Sequence, residues 1–334
     1  MKNEQLLSVR NLKTHFPLDE GNVIALDGVD LDIKRGKTLA VVGESGCGKS
    51  VTARSILRIL DRPGEIVDGE ILFNKGDGAA DAVIDILSLD ANGSEMRNIR
   101  GGEIGLIFQE PMTSFSPVHT IGKQLSEAVR LHTDLEKNEV RDLCVKSLER
   151  VGIPFPEERI NSYAFELSGG LRQRAMIALA LVCNPTIIIA DEPTTALDVT
   201  TQAQILRLLK DLQSENGMAI MLITHNLGVV AEMADEVAVM YLGKVIESGP
   251  VDEIFHDPKH PYTQALLKSI PSVTSEVGER LESISGAVPH PYSRPTGCSF
   301  HPRCDQYMAG KCEVEFPAVS NINERHTVSC FLYS

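Results

Sequence analysis

The sequence has no long apolar run. The longest uninterrupted stretch of apolar residues extends from Ala175 to Cys183, which is far short of the ~20 residues that a helix needs to cross a bilayer. The first residues, Met1 to Gln5, have mixed charge and are not followed by an apolar segment that would mark an export signal. We therefore expect a protein that neither spans a membrane nor is exported, and that works in the reducing cytosol.

The sequence also lacks an excess of basic residues. Its 32 Lys and Arg stand against 46 Asp and Glu, which gives a formal net charge of −14. Nucleic acids and anionic lipid surfaces attract basic protein faces, so we expect neither as a partner. The length of 334 residues, 43% of them hydrophobic, predicts roughly two domains with a large buried core.

The apolar residues predict an α/β protein. Leu39–Val42, Ile187–Ala190 and Ala219–Ile223 are short, almost wholly apolar runs, a pattern typical of strands buried on both faces of a sheet. A helical stripe from Ile205 to Leu212 stops at Asn216-Gly217, which is a common helix end. Strands that alternate with helices indicate a parallel sheet with helices on its faces.

Two other features predict the outline of the chain. Two pairs of apolar segments, each separated by turn residues, predict two hairpins: Ile71–Phe73 with Val83–Leu87, and Val237–Met240 with Val245–Glu247. Prolines gather after Phe255. We therefore predict one domain over residues 1–255 and a loop-rich C-terminal extension over residues 256–334.

A phosphate-binding loop follows the first buried strand. It fits the pattern G-x-x-x-x-G-K-[ST] and lies between a predicted strand and a predicted helix, which is the context that this motif requires. Backbone N–H groups of such a loop converge on phosphate oxygens, the Lys places a charge at the β- and γ-phosphates, and the final hydroxyl can bind Mg²⁺. The predicted ATP-binding residues are Gly43-Glu44-Ser45-Gly46-Cys47-Gly48-Lys49-Ser50 and the next residue, Val51.

Two carboxylates supply a second part of a nucleotide site. Asp191 and Glu192 follow the apolar strand Ile187–Ala190, at the edge of an α/β sheet where ligands collect. Asp191 is predicted to hold Mg²⁺ through water, and Glu192 to orient or deprotonate the water that attacks the γ-phosphate. An apolar strand followed by Asp-Glu is common, so the prediction depends on the presence of Lys49 in the same chain.

A second candidate phosphate-binding helix start lies at Ser168-Gly169-Gly170. Since one nucleotide cannot easily occupy two such helix starts in one monomer, we expect this one to contact the γ-phosphate of a nucleotide held by a partner subunit. At this point the sequence resembles the ATP-binding-cassette family over about residues 6–255. The resemblance implies a P-loop nucleotide-binding domain with a parallel core sheet, an antiparallel β subdomain and a helical signature subdomain.

The resemblance also assigns roles to residues outside the P-loop. Gln109 matches the glutamine of the family that senses the γ-phosphate and Mg²⁺ and contacts membrane subunits. Thr195–Asp198 resembles the D-loop, and His225 resembles the switch histidine. Phe16 falls where the family has an aromatic residue that stacks on adenine, although a core phenylalanine is the alternative interpretation.

The C-terminal part resembles dipeptide and oligopeptide permease ATPases in Gly249–Phe255, His260–Leu267 and Gly297–Cys304. This implies a peptide importer whose ATPase binds peripherally to the cytoplasmic face of the membrane. The implied partners are a second, identical or paralogous ATPase, two membrane permease subunits and, indirectly, an extracytoplasmic peptide-binding protein.

Alternatives to peptide import remain open at this point. Nickel and oligosaccharide importers share the subfamily. A soluble ATPase acting on nucleic acid is disfavoured by the charge, by the presence of one cassette, and by the short distance from Lys49 to Ser168 without heptad repeats.

Four of the seven cysteines lie in the last 37 residues, at Cys298, Cys304, Cys312 and Cys330. Four thiolates suit zinc or a [4Fe–4S] cluster. Zinc sites usually contain pairs with two to four intervening residues, and the gaps here are longer. Both the spacing and the resemblance therefore predict a [4Fe–4S] cluster, with zinc as the alternative.

Overall fold

The computed structural model describes residues 4–75, 83–195, 197–269 and 284–334. The strands are β1 Gln5–Leu18, β2 Gly21–Lys34, β3 Thr38–Val42, β4 Glu65–Asn74, β5 Val83–Asp85, β6 Ile104–Ile107, β7 Ile187–Asp191, β8 Ala219–Ile223, β9 Glu236–Tyr241, β10 Lys244–Pro250, β11 Ser320–Asn321 and β12 Thr327–Val328. The helices are α1 Lys49–Ile56, α2 Ser94–Asn98, α3 Pro111–Ser114, α4 Ile121–His132, α5 Lys137–Arg150, α6 Pro156–Arg159, α7 Gly169–Leu181, α8 Val199–Asn216, α9 Leu227–Met233, α10 Val251–His256 and α11 Pro261–Lys268.

The chain divides into two compact units. The first unit contains the described residues of Met1–Asp32, Thr38–Asp85 and Thr224–Ser334, and the second contains Ile33–Lys37 and Ile86–Ile223. Among the described residues, no helix combines the length and the apolar character needed to cross a bilayer.

The first unit contains two groups of strands. An antiparallel sheet has the order β2-β1-β4-β5. In the other group β3 pairs in parallel with β9, and β9, β10, β12 and β11 follow one another as antiparallel neighbours. Both predicted hairpins are confirmed as the pairs β4–β5 and β9–β10. The strand after the first turn ends at Asp85 rather than Leu87, and most of the predicted turn lies in residues 76–82, outside the described residues.

The second unit contains the parallel strands β8, β7 and β6 in that order. Every residue of β7 and of β8 is buried, which explains why the sequence alone identified both strands. Helices α4, α5 and α7 pack together in the same unit. Helix α8 begins where the side chain of Asp198 accepts the N–H of Thr201. It ends at Gly217 with φ 64°, and this end is the one that the sequence predicted.

The C-terminal region packs into the core of the first unit. Tyr262 and Phe300 share one apolar cluster with Val42 of β3 and Tyr241 of β9. The rings of Tyr241 and Tyr262 lie 4.8 Å apart, and that of Phe300 lies 5.3 Å from each. These are favourable distances for aromatic pairs. Residues on both sides of position 255 thus contribute to one core, and the domain boundary at that position stays a prediction.

A buried carboxylate fixes the same region by hydrogen bonds. The Glu247 side chain on β10 accepts the backbone N–H groups of Lys259 at 2.6 Å and His260 at 2.9 Å. Its Oε1 also lies 2.8 Å from Nε2 of His326, which is itself buried beside β12. A buried charge requires such partners. Glu247 therefore joins the start of α11 and the last strand to the sheet.

His260 caps α11 in a way that depends on its protonation. Its Nδ1 accepts the N–H of Tyr262 at 3.0 Å, so this nitrogen carries no proton. Complete burial lowers the pKa of His260 to about 3. Below its ordinary pKa of 6.5 the unfolded chain binds a proton that the folded chain excludes, so this group lowers stability as the pH falls from 6.5 towards 3.

We expect the His260→Asn variant to show a weaker pH dependence of stability than the wild type. The contribution of His260 to the slope of the free energy of unfolding is at most about 1.4 kcal/mol per pH unit in this window. Asn keeps a capping side chain without a group that titrates there. Urea unfolding between pH 7 and pH 4.5 measures the slope, with the exposed His256→Asn as the matched control. Equal slopes for wild type and His260→Asn would contradict the prediction.

Candidate nucleotide-binding site

The P-loop of the first unit connects β3 to α1 through glycines that no other residue can replace without strain. Gly43 has φ 150°, and a Cβ there would lie 2.2 Å from the carbonyl oxygen of Met240. A Cβ at Gly48, with φ 106°, would lie 2.8 Å from the carbonyl oxygen of Ala25. At Gly46, with φ 79°, a Cβ would meet nothing within 4 Å. The loop thus packs tightly at its ends and faces open space in its middle, as a phosphate cradle requires.

Lys49 begins α1 and turns its side chain back across the loop. Its Nζ donates to the carbonyl oxygens of Gly43 at 2.7 Å and Glu44 at 3.0 Å, and the residue is buried. Ser50 and Val51 follow in the first turn of the helix, where backbone N–H groups attract anions. The residues present therefore fit a nucleoside triphosphate, and the Ser50 hydroxyl is suited to bind Mg²⁺.

Cys47 is the loop residue whose thiol could be reactive. It is buried, its Sγ lies 3.7 Å from Nζ of Lys49, and burial raises the pKa of its thiol although Lys49 partly opposes the shift. A buried thiol with a raised pKa is a poor nucleophile, which suits a small packing residue.

Two other predicted residues lie in the first unit. Phe16 on β1 is half-buried and packs against Gly64, where a Cβ would lie 2.6 Å from the Phe16 ring. His225 is exposed, and the N–H of the preceding Thr224 donates to the carbonyl oxygen of Val41 at 3.3 Å. That bond fixes the His225 segment beside the strand that leads into the P-loop.

The second unit brings Gln109 and Glu192 into contact. The Gln109 Nε2 donates to Oε2 of Glu192 at 3.1 Å, and the Thr195 hydroxyl donates to the same oxygen at 2.8 Å. Glu192 has φ 46°, and its N–H donates to the carbonyl oxygen of Ile223. Asp191, at the end of β7, is buried. The sequence predicted Gln109, Asp191 and Glu192 as site members and Thr195 as part of the D-loop, but it could not predict the bonds between them. Ala196 of the predicted D-loop lies outside the described residues.

The signature segment forms a capped helix start, also in the second unit. The Ser168 side chain accepts the N–H of Leu171, and a Cβ at Gly169 would meet nothing within 4 Å. Arg172 donates to the carbonyl oxygens of Ala164 and Leu167 at 2.9 Å each, which holds the chain before the cap in place. An open, glycine-containing helix start of this kind can bind an anion.

The prediction of a [4Fe–4S] cluster, or zinc, in the C-terminal region is wrong. Among the described residues, no group of three or more His, Cys, Asp or Glu could hold a metal ion. Cys298 and Cys312 belong to the apolar cluster of Tyr262 and Phe300, Cys304 packs against it, and Cys330 is buried. Burial raises the pKa of Cys298 and Cys330, and that of Cys304 to about 11. These thiols are packing residues.

Sequence reasoning missed two residues that contact the P-loop. Tyr262 accepts the backbone N–H of Glu44, and Arg303 forms an ion pair with the Glu44 carboxylate. Both lie in segments that carry the resemblance to the peptide permease ATPases, but no local pattern pairs them with Glu44, because each lies more than two hundred residues from it along the chain.

Comparisons with known proteins agree with this geometry. The family described as ABC transporter matches residues 26–195, and the family described as Oligopeptide/dipeptide transporter, C-terminal region, matches residues 246–312. The chain belongs to the ABC transporter family. It is an ATPase of the ABC type, and the predicted P-loop fold is confirmed by structures of ABC cassettes.

Some relatives align with nearly the whole length of this ABC ATPase. The oligopeptide transport ATP-binding protein AppD of Bacillus subtilis is 47% identical over 98% of the chain and 97% of its own length. The dipeptide transport ATP-binding protein DppD of the same organism is 46% identical over 98% and 95%. The dimeric structure of the cassette MJ0796 bound to ADP and Pi is 28% identical, with a TM-score of 0.64 over 74% of this chain and 99% of that one.

We expect Lys49→Ala to raise the dissociation constant for a non-hydrolysable ATP analogue by at least about tenfold. The substitution removes the charge predicted to lie at the β- and γ-phosphates. Isothermal titration calorimetry with AMP-PNP and Mg²⁺ measures the dissociation constant. The control is Lys146→Ala, at an exposed position on α5. Unchanged affinity in Lys49→Ala would contradict the assignment of the P-loop.

Proposed function

We propose that this chain is the ATP-binding and ATP-hydrolysing subunit of a peptide importer. The observation that carries the substrate class is the match of residues 246–312 to the C-terminal region of oligopeptide and dipeptide transporters. The names of AppD and DppD, each similar over 98% of the chain, support the same class. The transported peptide itself is recognised by other subunits, so no residue of this chain is assigned to it.

In the proposed reaction each group of assigned residues has its own task. Lys49 and the N–H groups of the P-loop hold the phosphates, while Ser50, Asp191 and Gln109 are the residues offered to Mg²⁺. The metal, when bound, neutralises charge on the transferred phosphoryl group. Glu192 orients or deprotonates the attacking water.

The environment of Glu192 supports that task. Gln109 and Thr195 both donate to Oε2 of Glu192, which fixes the direction of the carboxylate and occupies one oxygen. His225 is proposed to act as the switch histidine of the family, and Phe16 to stack on adenine.

The proposed assembly has two cassettes. Ser168, Gly169 and Gly170 complete the site of the partner cassette, since their helix start is a second anion site on the same chain. The dimeric MJ0796 structure with ADP and Pi supports the pairing of two cassettes. ATP binding closes the two cassettes and hydrolysis reopens them, which transmits a two-state motion to two membrane permease subunits.

The proposed location is the cytoplasmic face of the membrane, as a peripheral subunit. The permeases, an identical or paralogous second ATPase and, indirectly, an extracytoplasmic peptide-binding protein are the partners. No described residue favours a nickel or oligosaccharide importer over a peptide importer. A role on nucleic acid is opposed by the net charge of −14.

We expect a strain that lacks this chain to lose uptake of radiolabelled dipeptides and oligopeptides, and to regain it with the wild-type gene but not with Glu192→Gln. The variant keeps nucleotide binding but loses the base, so turnover of the assembled complex falls at least about 100-fold. The exposed Glu158→Gln on α6 is the control. Loss of nickel or oligosaccharide uptake with normal peptide uptake would replace the proposed substrate class.

We expect Ser168→Arg to leave AMP-PNP binding to the isolated chain intact and to abolish hydrolysis at the partner's site. The long cation fills the open helix start, which is assigned to the nucleotide of the partner cassette. Mixed dimers, in which Glu192→Gln silences one site at a time, identify the site that is lost. Loss of the site in the mutated chain itself would refute action in trans.

A further inference from the structure

A side chain of the C-terminal region holds a P-loop residue directly. Arg303 lies at the end of a short helical turn, His301–Arg303, and its side chain is 4% exposed. Its Nη1 donates to Oε2 of Glu44 at 2.7 Å and its Nη2 donates to Oε1 at 3.0 Å. The two terminal nitrogens of the guanidinium thus engage both oxygens of one carboxylate, which is the strongest and most directional form of this pair.

Arg303 is itself fixed on its other sides. Its Nε donates to the carbonyl oxygen of Ser285 at 3.0 Å, and Nη1 also donates to the Tyr241 hydroxyl at 3.3 Å. Glu44 raises the pKa of Arg303 further above its usual value. The guanidinium therefore stays charged and cannot turn away without breaking several bonds.

Tyr262 makes a second contact with the same residue. Its buried hydroxyl accepts the backbone N–H of Glu44 at 2.9 Å. Its ring is held by Tyr241 and Phe300. The carbonyl oxygen of Glu44 accepts from Nζ of Lys49 at 3.0 Å. Every polar group of Glu44 therefore has a partner, two of them in the C-terminal region and one in the lysine assigned to the phosphates.

The negative charge of Glu44 matters for nucleotide binding. A carboxylate one residue after Gly43 lies in the loop that is assigned to a triphosphate, where an uncompensated negative charge opposes anion binding. Arg303 neutralises that charge. A partly buried ion pair by itself is also compatible with a purely structural role, and the experiment below separates the two roles.

We propose that the C-terminal region positions the P-loop for nucleotide binding, through Arg303 on the Glu44 carboxylate and Tyr262 on the Glu44 backbone. Arg303 is a positioning residue, because it acts on the nucleotide through Glu44. The inference depends on the proposed ATP site, which Lys49→Ala tests independently. If affinity for AMP-PNP depends on Lys49, the site stands whatever the Arg303 variants show.

The test measures the affinity of the full chain for AMP-PNP with Mg²⁺ by isothermal titration calorimetry, for Arg303→Met in the wild type and in a Glu44→Gln background. We expect Arg303→Met to raise the dissociation constant about tenfold in the wild type, from the unpaired charge. In Glu44→Gln the same change should raise it less than about threefold, because no carboxylate is left to neutralise. Arg325→Met is the control, since Arg325 forms an exposed ion pair with Glu236 in the same region.

A structural role predicts different results. Equal rises in both backgrounds would show that Arg303 acts on the fold and not through the Glu44 charge, and would overturn the proposal. Wild-type affinity in a folded Arg303→Met would also overturn it. Should Arg303→Met fail to fold, Arg303→Lys carries the same comparison, because it keeps the charge but loses the two-point contact. Its expected rise is about threefold in the wild type and absent in Glu44→Gln.

Discussion

The candidate nucleotide site depends on the backbone turn of the P-loop, which has no room for a side chain at either end. Gly43 leaves β3 with its α-carbon against the carbonyl oxygen of Met240 on the parallel neighbour β9, and Gly48 enters α1 against the carbonyl oxygen of Ala25. Because both ends are fixed by backbone atoms, the loop between them has little freedom. Lys49 then reaches back to the carbonyl oxygens of Gly43 and Glu44. The position of the charge assigned to the phosphates therefore follows from the packing of β3 against β9.

The C-terminal region completes the surroundings of that turn. Aromatic residues make up only 5% of the chain, yet Tyr241, Tyr262 and Phe300 lie together in the cluster that reaches β3. The buried Glu247 fixes the start of α11 and so the position of Tyr262. A region that the sequence describes as proline-rich and loop-rich is thus anchored by a few buried polar and aromatic side chains. Arg303 and Tyr262 connect this anchored region to the P-loop.

The cysteines of the same region show where reasoning from spacing fails. The distances between Cys298, Cys304, Cys312 and Cys330 along the chain are compatible with a cluster, but a metal site requires thiolates aimed at one point. The structure instead buries three of the four and packs the fourth against the apolar cluster. Burial favours the neutral thiol. Spacing reports the separation of residues in sequence, while packing decides what a thiol contacts.

The sequence by itself determined the elements whose signals are local. Strands β3, β7 and β8 are continuous apolar runs, the P-loop is a contiguous motif, and the apolar stripe of α8 is followed directly by its glycine stop. Only the tertiary structure decided which distant side chains meet: Gln109 with Glu192 across 83 residues, and Glu44 with Arg303 across 259. The physical reason is that a strand or a cap is selected by its neighbours in the chain. A buried charge is instead paired with whatever opposite charge the folded core brings within hydrogen-bond distance.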